Sequence, residues 1–258
     1  MSEFAGPSTL EGKAASAYYP GPDHAWERKQ PEEVGIDPYL LQGAIAFAND
    51  PAHAGYPPDL GAHLAAIHGA KRHDDGVILG PTKAHGPVTG VVLRHGYLAA
   101  EWGEPERVDM TFSITKSFLS TVAGLAWDRG LIRDVRDRVK DYVDDGGFDS
   151  PHNAQITWDH LLRQTNEWDG TLWDKHYSAG NPDDELRQPL QPGTYYEYND
   201  VRVNRFSLSL LHVWRRPLPE VLKELVMDPI DASDTWQWHG YRNSWVTIDG
   251  TRVQSLAR

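Results

Sequence analysis

Apolar residues recur at helical spacing at Leu40, Leu41, Ala44, Ile45, Phe47 and Ala48, with Asp37-Pro38 just ahead as a cap and first-turn pair. The spacing predicts a helix opening near residue 38. Residues 50–87 are rich in Gly, Pro, His and Asp, broken by Leu64-Ala65-Ala66-Ile67, and read as a long loop with one helical turn. Strand-like runs follow. Val88 to Leu93 and Tyr97 to Trp102, joined near His95-Gly96, predict a hairpin. From Ser113 the period is helical again, through Phe118, Leu119, Val122, Leu125 and Ala126, and Gly130 is the stop. Between Asp134 and about Trp236 the signals are mainly helical, over Ile156–Thr165, Val201–Trp214 and Pro217–Met227. A second hairpin is predicted where Trp245–Ile248 and Thr251–Gln254 flank Asp249-Gly250, a strong two-residue turn signal.

Composition narrows the class. The chain of 258 residues can bury a substantial core, and its 40% hydrophobic and 24% charged residues are those of a soluble globular protein. A formal net charge of −12 argues against a broad nucleic-acid or anionic-membrane surface. With no cysteine, disulfides, thiol catalysis and Cys-type zinc sites are excluded. Residues 1–29 are polar and Gly/Pro-rich, without a basic head and apolar run, and no stretch nears 18 apolar residues. A cytoplasmic protein is expected.

The strongest chemical signal is Ser113-Ile114-Thr115-Lys116 at a helix start. A serine is a poor nucleophile until a neighbour takes its proton. Positions i and i+3 share a helix face, so Lys116 can bring its amine to the Ser113 hydroxyl. First-turn N–H groups also favour the negative charge that builds during acyl transfer. The plain alternative is a helix-start serine beside a solvent lysine. His63, His68 and His73 recur every five residues, on different helix faces, and no His-Glu-x-x-His pattern exists, so no metal site is expected. Asp144-Asp145 and Asp183-Asp184-Glu185 read as charges solvating loops.

Several blocks, in order, resemble the serine β-lactamase and penicillin-binding-protein superfamily, and its class C branch most. That branch includes esterases, D-amino-acid peptidases and 6-aminohexanoate-oligomer hydrolases. Gly90-Val91-Val92-Leu93 with Gly96 leads to Phe112-Ser113-Ile114-Thr115-Lys116-Ser117, similar to the family's Ser-x-x-Lys motif. Ile156 to Thr165 resembles the segment that usually reads His-Leu-Leu-x-x-Thr-Ser-Gly, and Pro192-Gly193-Thr194 with Tyr198-Asn199-Asp200 resembles the Pro-Gly…Tyr-x-Asn block. The family's tyrosine falls five residues after that glycine, which selects Tyr198 over Tyr195 or Tyr196. Pro217–Leu222 and Met227–Thr235 resemble the helix and exit loop that follow, so the likeness spans roughly residues 31–240.

The resemblance implies an α+β fold, an α/β lobe with an antiparallel sheet carrying a large helical lobe, β-lactamase/transpeptidase-like and C-terminally incomplete. Residues 1–30 form an irregular leader and 31–258 the domain, divided into 31–112, 113–240 and a terminal hairpin, 241–258. It also implies that Ser113 forms an acyl-enzyme with an ester, amide or cyclic amide. Lys116 accepts the serine proton or holds Tyr198 as phenolate, and Tyr198 relays the proton and activates water. No cofactor or metal is implied, the partner is a small molecule, and the oligomeric state stays open. Trp168, Trp173 and Tyr177 are candidates to line the acyl pocket, with aromatic packing in the helical lobe as the alternative.

Four departures stand out. Asp200 replaces the usual Asn, and near Lys116 it would favour the ammonium or select a substrate amine or hydroxyl. Asn166-Glu167 stands where Ser-Gly is common, and Asp231 where Gly is frequent. The family's Lys-Thr-Gly or His-x-Gly triplet on a late strand is not found, so a truncated or non-catalytic, ligand-binding or structural member is the rival expectation.

Overall fold

Asp37 accepts hydrogen bonds from the N–H groups of Tyr39 and Leu40, at 2.8 and 3.1 Å, and so starts α1 (Pro38–Asn49) as the sequence predicts. The computed structural model describes residues 18–21, 26–53, 59, 62, 84, 86–178, 187–241 and 243–255. Most of the 50–87 loop, including His63, His68 and His73, lies outside them, as does Asp183-Asp184-Glu185. Two compact units are formed, Met1–Asp59 with Ala84–Arg107, and Leu60–Lys83 with Val108–Arg258.

In the first unit, β1 (Gly90–Arg94) and β2 (Tyr97–Trp102) pair antiparallel across His95-Gly96, with a register shift at Val92/Leu93. Both turn residues have positive φ, 54° and 85°, as the tightest hairpins require. The other edge of β2 is covered. Leu98 exchanges backbone hydrogen bonds with Glu27 and Lys29, so this part of the expected leader runs beside the strand. α1 follows its predicted periodicity yet buries none of its residues, and Phe47 stacks on His53 instead.

The second unit holds the large core. α2 (Thr115–Asp128) buries Leu119, Val122, Ala123 and Ala126 on one stripe and ends at the left-handed Gly130. α3 (Trp158–Leu162) carries a capping box from Thr157 and His160 and buries Trp158 and Leu161. Two short strands, β3 (Thr171–Leu172) and β4 (Lys175–His176), pair antiparallel. α4 (Asp200–Trp214) is buried on every side from Val201 to Leu211, and α5 (Leu218–Leu222) passes into a π-helical turn, Lys223–Met227. β5 (Trp245–Ile248) and β6 (Thr251–Gln254) meet at Asp249-Gly250 in the predicted register, and Ile248 and Val253 join the helical core.

A helix surrounded on all sides must neutralise its polar residues. Arg205, 3% exposed, donates through Nη2 to both oxygens of Asp145 at 2.6 and 2.7 Å. His212 Nε2 lies 3.2 Å from the same carboxylate. Asp145 is therefore not a loop-solvating charge, as its neighbour Asp144 suggested, but the counter-ion of the buried Arg205 on α4. Burial alone would push its carboxyl pKa up. Hydrogen bonds from His212, Arg205 and the Gly147 N–H outweigh that and hold it well below the usual carboxylate range.

Candidate active site

Ser113 lies in the 3₁₀ turn Phe112–Ile114, which runs directly into α2. Phe112 has φ 47°, an uncommon left-handed conformation for a bulky residue and one that clusters at functional sites. The first helical donor is Ile114 N–H, to Thr111 C=O, so the Ser113 N–H precedes the ladder at the positive end of the helix. The Thr115 hydroxyl ties the turn by donating to Phe112 C=O at 2.8 Å.

One turn on, Lys116 returns to the serine. Its Nζ donates to Ser113 Oγ at 3.2 Å and to Asp200 Oδ1 at 3.1 Å, and sits 4.6 Å from the Tyr198 ring centroid. The Tyr198 hydroxyl is 2.5 Å from Ser113 Oγ. Lys116's side chain is 14% exposed while Tyr198 is 51% exposed, so the serine is bounded by a sheltered cation and an accessible phenol.

Tyr198 and Asp200 flank the start of α4. Asn199 between them caps the helix by accepting from Arg202 N–H at 3.0 Å, and its amide donates to Tyr177 C=O at 2.6 Å. The preceding chain is held by a buried charge cluster. Glu167, 1% exposed, accepts from Arg187 Nη1 and Nη2 at 2.9 and 2.8 Å, Arg202 Nη1 at 3.0 Å and Leu190 N–H at 2.7 Å. Glu197 accepts from Arg187 at 3.0 Å and from Arg202. Burial opposes the charge on Glu167. The Arg187 hydrogen bonds, Leu190 N–H and the Arg202 charge prevail and lower its pKa.

Two backbone bonds complete the clamp, Gly193 N–H to Thr165 C=O at 2.7 Å and Glu197 N–H to Gln164 C=O at 3.1 Å. Gly193 has φ 90°, and a Cβ there would lie 2.7 Å from His160 Nε2. Gly193→Ala is expected to cost about 1–3 kcal/mol, from backbone strain and displacement of His160. A thermal melt unchanged within error would refute this.

The sequence-predicted Ser113, Lys116, Tyr198 and Asp200 thus come together. Trp168 is 3% exposed, belongs to the core and donates its indole N–H to Gly147 C=O at 2.8 Å. Trp173 packs against the same core with its ring 6.1 Å from that of Tyr241, and Tyr177 is 4% exposed. All three rings pack in or against the helical core. The Glu167–Arg187–Arg202–Glu197 cluster was missed. Its one sequence signal was Arg202, set inside the apolar-periodic helical run 201–214. Among the described residues, no group of three or more His, Asp or Glu could hold a metal ion, and no helix is long and apolar enough to cross a membrane.

A helical unit with a Ser-x-x-Lys helix start facing a Tyr-x-Asp segment defines a β-lactamase-like α+β protein. Residues 60–241 match the Beta-lactamase family model, and the chain belongs to that family. Among solved structures it is similar to a β-lactamase/D-alanine carboxypeptidase from Yersinia pestis complexed with citrate. The identity is 18%, the TM-score 0.34, and the likeness covers 45% of this chain and 37% of that one. No curated protein matches.

Proposed function

We propose that the chain is a serine hydrolase that cleaves an ester, an amide or a cyclic amide through an acyl-enzyme on Ser113. The observation that carries this reading is that Ser113 Oγ lies within hydrogen-bond distance of both Lys116 Nζ and Tyr198 OH. Membership of the Beta-lactamase family supports a serine-hydrolase type of function in general. Ser113 Oγ bonds to the substrate carbonyl carbon as its proton passes to Lys116 or Tyr198. The Ser113 N–H at the helix start faces the developing oxyanion. The leaving group takes a proton from Tyr198 and departs, and Tyr198 then draws a proton from the water that releases the acyl group.

The test is intact-mass spectrometry after exposure to a fluorophosphonate, beside Ser113→Ala. One adduct per chain, mapping to Ser113 and absent from the variant, is expected. A folded protein that acquires no adduct would sink the reading.

A second reading, a member that binds its ligand without turnover, draws support from the Lys116–Asp200 ion pair. An ammonium has no lone pair with which to accept the serine proton. The same experiment separates the two.

A further inference from the structure

Resting on the serine-hydrolase reading, we infer that the site takes neutral substrates whose acyl group is apolar. Ile114 and Tyr196 are the specificity-determining residues that cover that group. The Lys116–Asp200 pair leaves an acyl group ending in a carboxylate without a counter-charge.

Single exposed apolar side chains are ordinary on a protein surface, whereas a bunch of them around a reactive group marks a place for a ligand. Met110, Ile114, Tyr195, Tyr196 and Tyr198 are all exposed. Each is Ser113 or Tyr198 itself or lies within three residues of one of them, and the two hydroxyl oxygens are 2.5 Å apart. Three residues of extended chain span at most about 11 Å, so these side chains rim the serine.

Ile114 and Tyr196 offer the most surface, each being 60% exposed. Ile114 follows the nucleophile directly, and Tyr196 is two residues from the phenol that meets it. Tyr195 is already faced by the Arg187 guanidinium, 4.6 Å from its ring centroid. A branched aliphatic chain and an aromatic ring both gain by covering an alkyl or aryl group, in proportion to the area taken from water.

The charges on the same segments are already matched. Lys116 Nζ lies 3.1 Å from Asp200 Oδ1, so the cation beside the nucleophile brings no net charge with it. Arg187 and Arg202 are paired with Glu167 and Glu197, two cations against two carboxylates. A carboxylate laid on an apolar rim loses hydration and is stabilised there only by a counter-charge. An asparagine at position 200, as the resemblance leads one to expect, would leave Lys116 with an unbalanced charge to offer an anion. The aspartate withdraws it.

Three ethyl fluorophosphonates test this, carrying a methyl, a hexyl or a 5-carboxypentyl group on phosphorus. Ser113 Oγ bonds to phosphorus as fluoride leaves, and the serine proton is released to the buffer. Labelling rates are read by intact mass and divided by each reagent's own hydrolysis rate. In the wild type the hexyl reagent is expected to label Ser113 about tenfold or more faster than either of the others. Equal rates for hexyl and methyl would overturn the apolar rim, and equal rates for hexyl and carboxypentyl would overturn the charge selection. Ile114→Ala and Tyr196→Ala are each expected to lower the hexyl-to-methyl ratio about threefold or more. A ratio unchanged in both removes them as the determinants. Asp200→Asn is expected to raise the carboxypentyl-to-hexyl ratio about tenfold, because Lys116 then meets the carboxylate unbalanced. An unchanged ratio there refutes the part given to Asp200. Ratios within one variant cancel any general loss of nucleophilicity, and circular dichroism melts establish that each variant is folded. The wild-type comparison decides even where a variant misfolds. A folded wild type that takes none of the three reagents fails at the prior step, the serine-hydrolase reading itself.

Discussion

Glu167→Ala is expected to destabilise the protein by about 3–5 kcal/mol, the usual cost of removing one partner from a buried ion pair. The carboxylate is 1% exposed and is the shared acceptor for Arg187, Arg202 and the Leu190 N–H. Without it, Arg202, itself 2% exposed, keeps only Glu197 as a carboxylate partner in the described cluster, and its Nη2 is already without a hydrogen bond. Glutamine is not a remedy, because its NH₂ would face guanidinium donors. Urea unfolding of the wild type, Glu167→Ala and Glu167→Gln measures the loss. Asp134→Ala, which breaks an exposed and solvent-screened pair with Arg136, is the control and is expected to leave stability nearly unchanged. The Glu167 variants should also label more slowly at Ser113, since the cluster holds the chain leading into Tyr198. A loss no larger than the control's would mean that Glu197 alone can neutralise both arginines.

That cluster marks where sequence reading stops. Features set by neighbouring residues were legible. Asp37 caps α1, Asp249-Gly250 turns the second hairpin with φ 50° and 78°, and the Ser113–Lys116 pair follows from helix geometry. Tyr198 was reached through the family spacing, and its hydroxyl lies 2.5 Å from Ser113 Oγ across 85 residues. Charge burial was not legible. Asp145 finds Arg205 across 60 residues and Glu167 finds Arg202 across 35, and in one dimension each acid looks like an exposed loop residue. Two departures from the family pattern now have a physical setting. Glu167 and Asp231, where glycine is common, adopt φ 51° and 54°, so the left-handed backbone is kept by residues that tolerate it less well. The π-helical turn Lys223–Met227 also escapes a 3.6-residue period.

Acid is expected to unfold the protein through groups that act in the same direction. Burial lowers the pKa of His160, whose Nδ1 accepts the Thr157 N–H at 3.3 Å, so the unfolded chain binds that proton first. Its contribution is full above about pH 6.5 and fades as pH falls toward the folded value. Asp145 and Glu167 have lowered pKa values, so theirs are full above about pH 4, the unfolded carboxylate range, and are lost as pH falls through the folded values. Stability should therefore be level above pH 6.5, decline gently to about pH 4 and fall steeply below. Asp145→Asn isolates one cause. At pH 7 it leaves Arg205, 4% exposed at its side chain and with Nε unpartnered, without its carboxylate, at a cost of about 3–5 kcal/mol. As acid protonates Asp145 in the wild type, the two proteins come to differ only by an amide against a neutral acid. Their unfolding free energies, measured by urea titration at each pH, are expected to converge as pH falls below 4. A gap that stays constant down to the acid transition would mean that the asparagine variant fails for reasons of packing, and that the Asp145 charge contributes nothing to the buried helix.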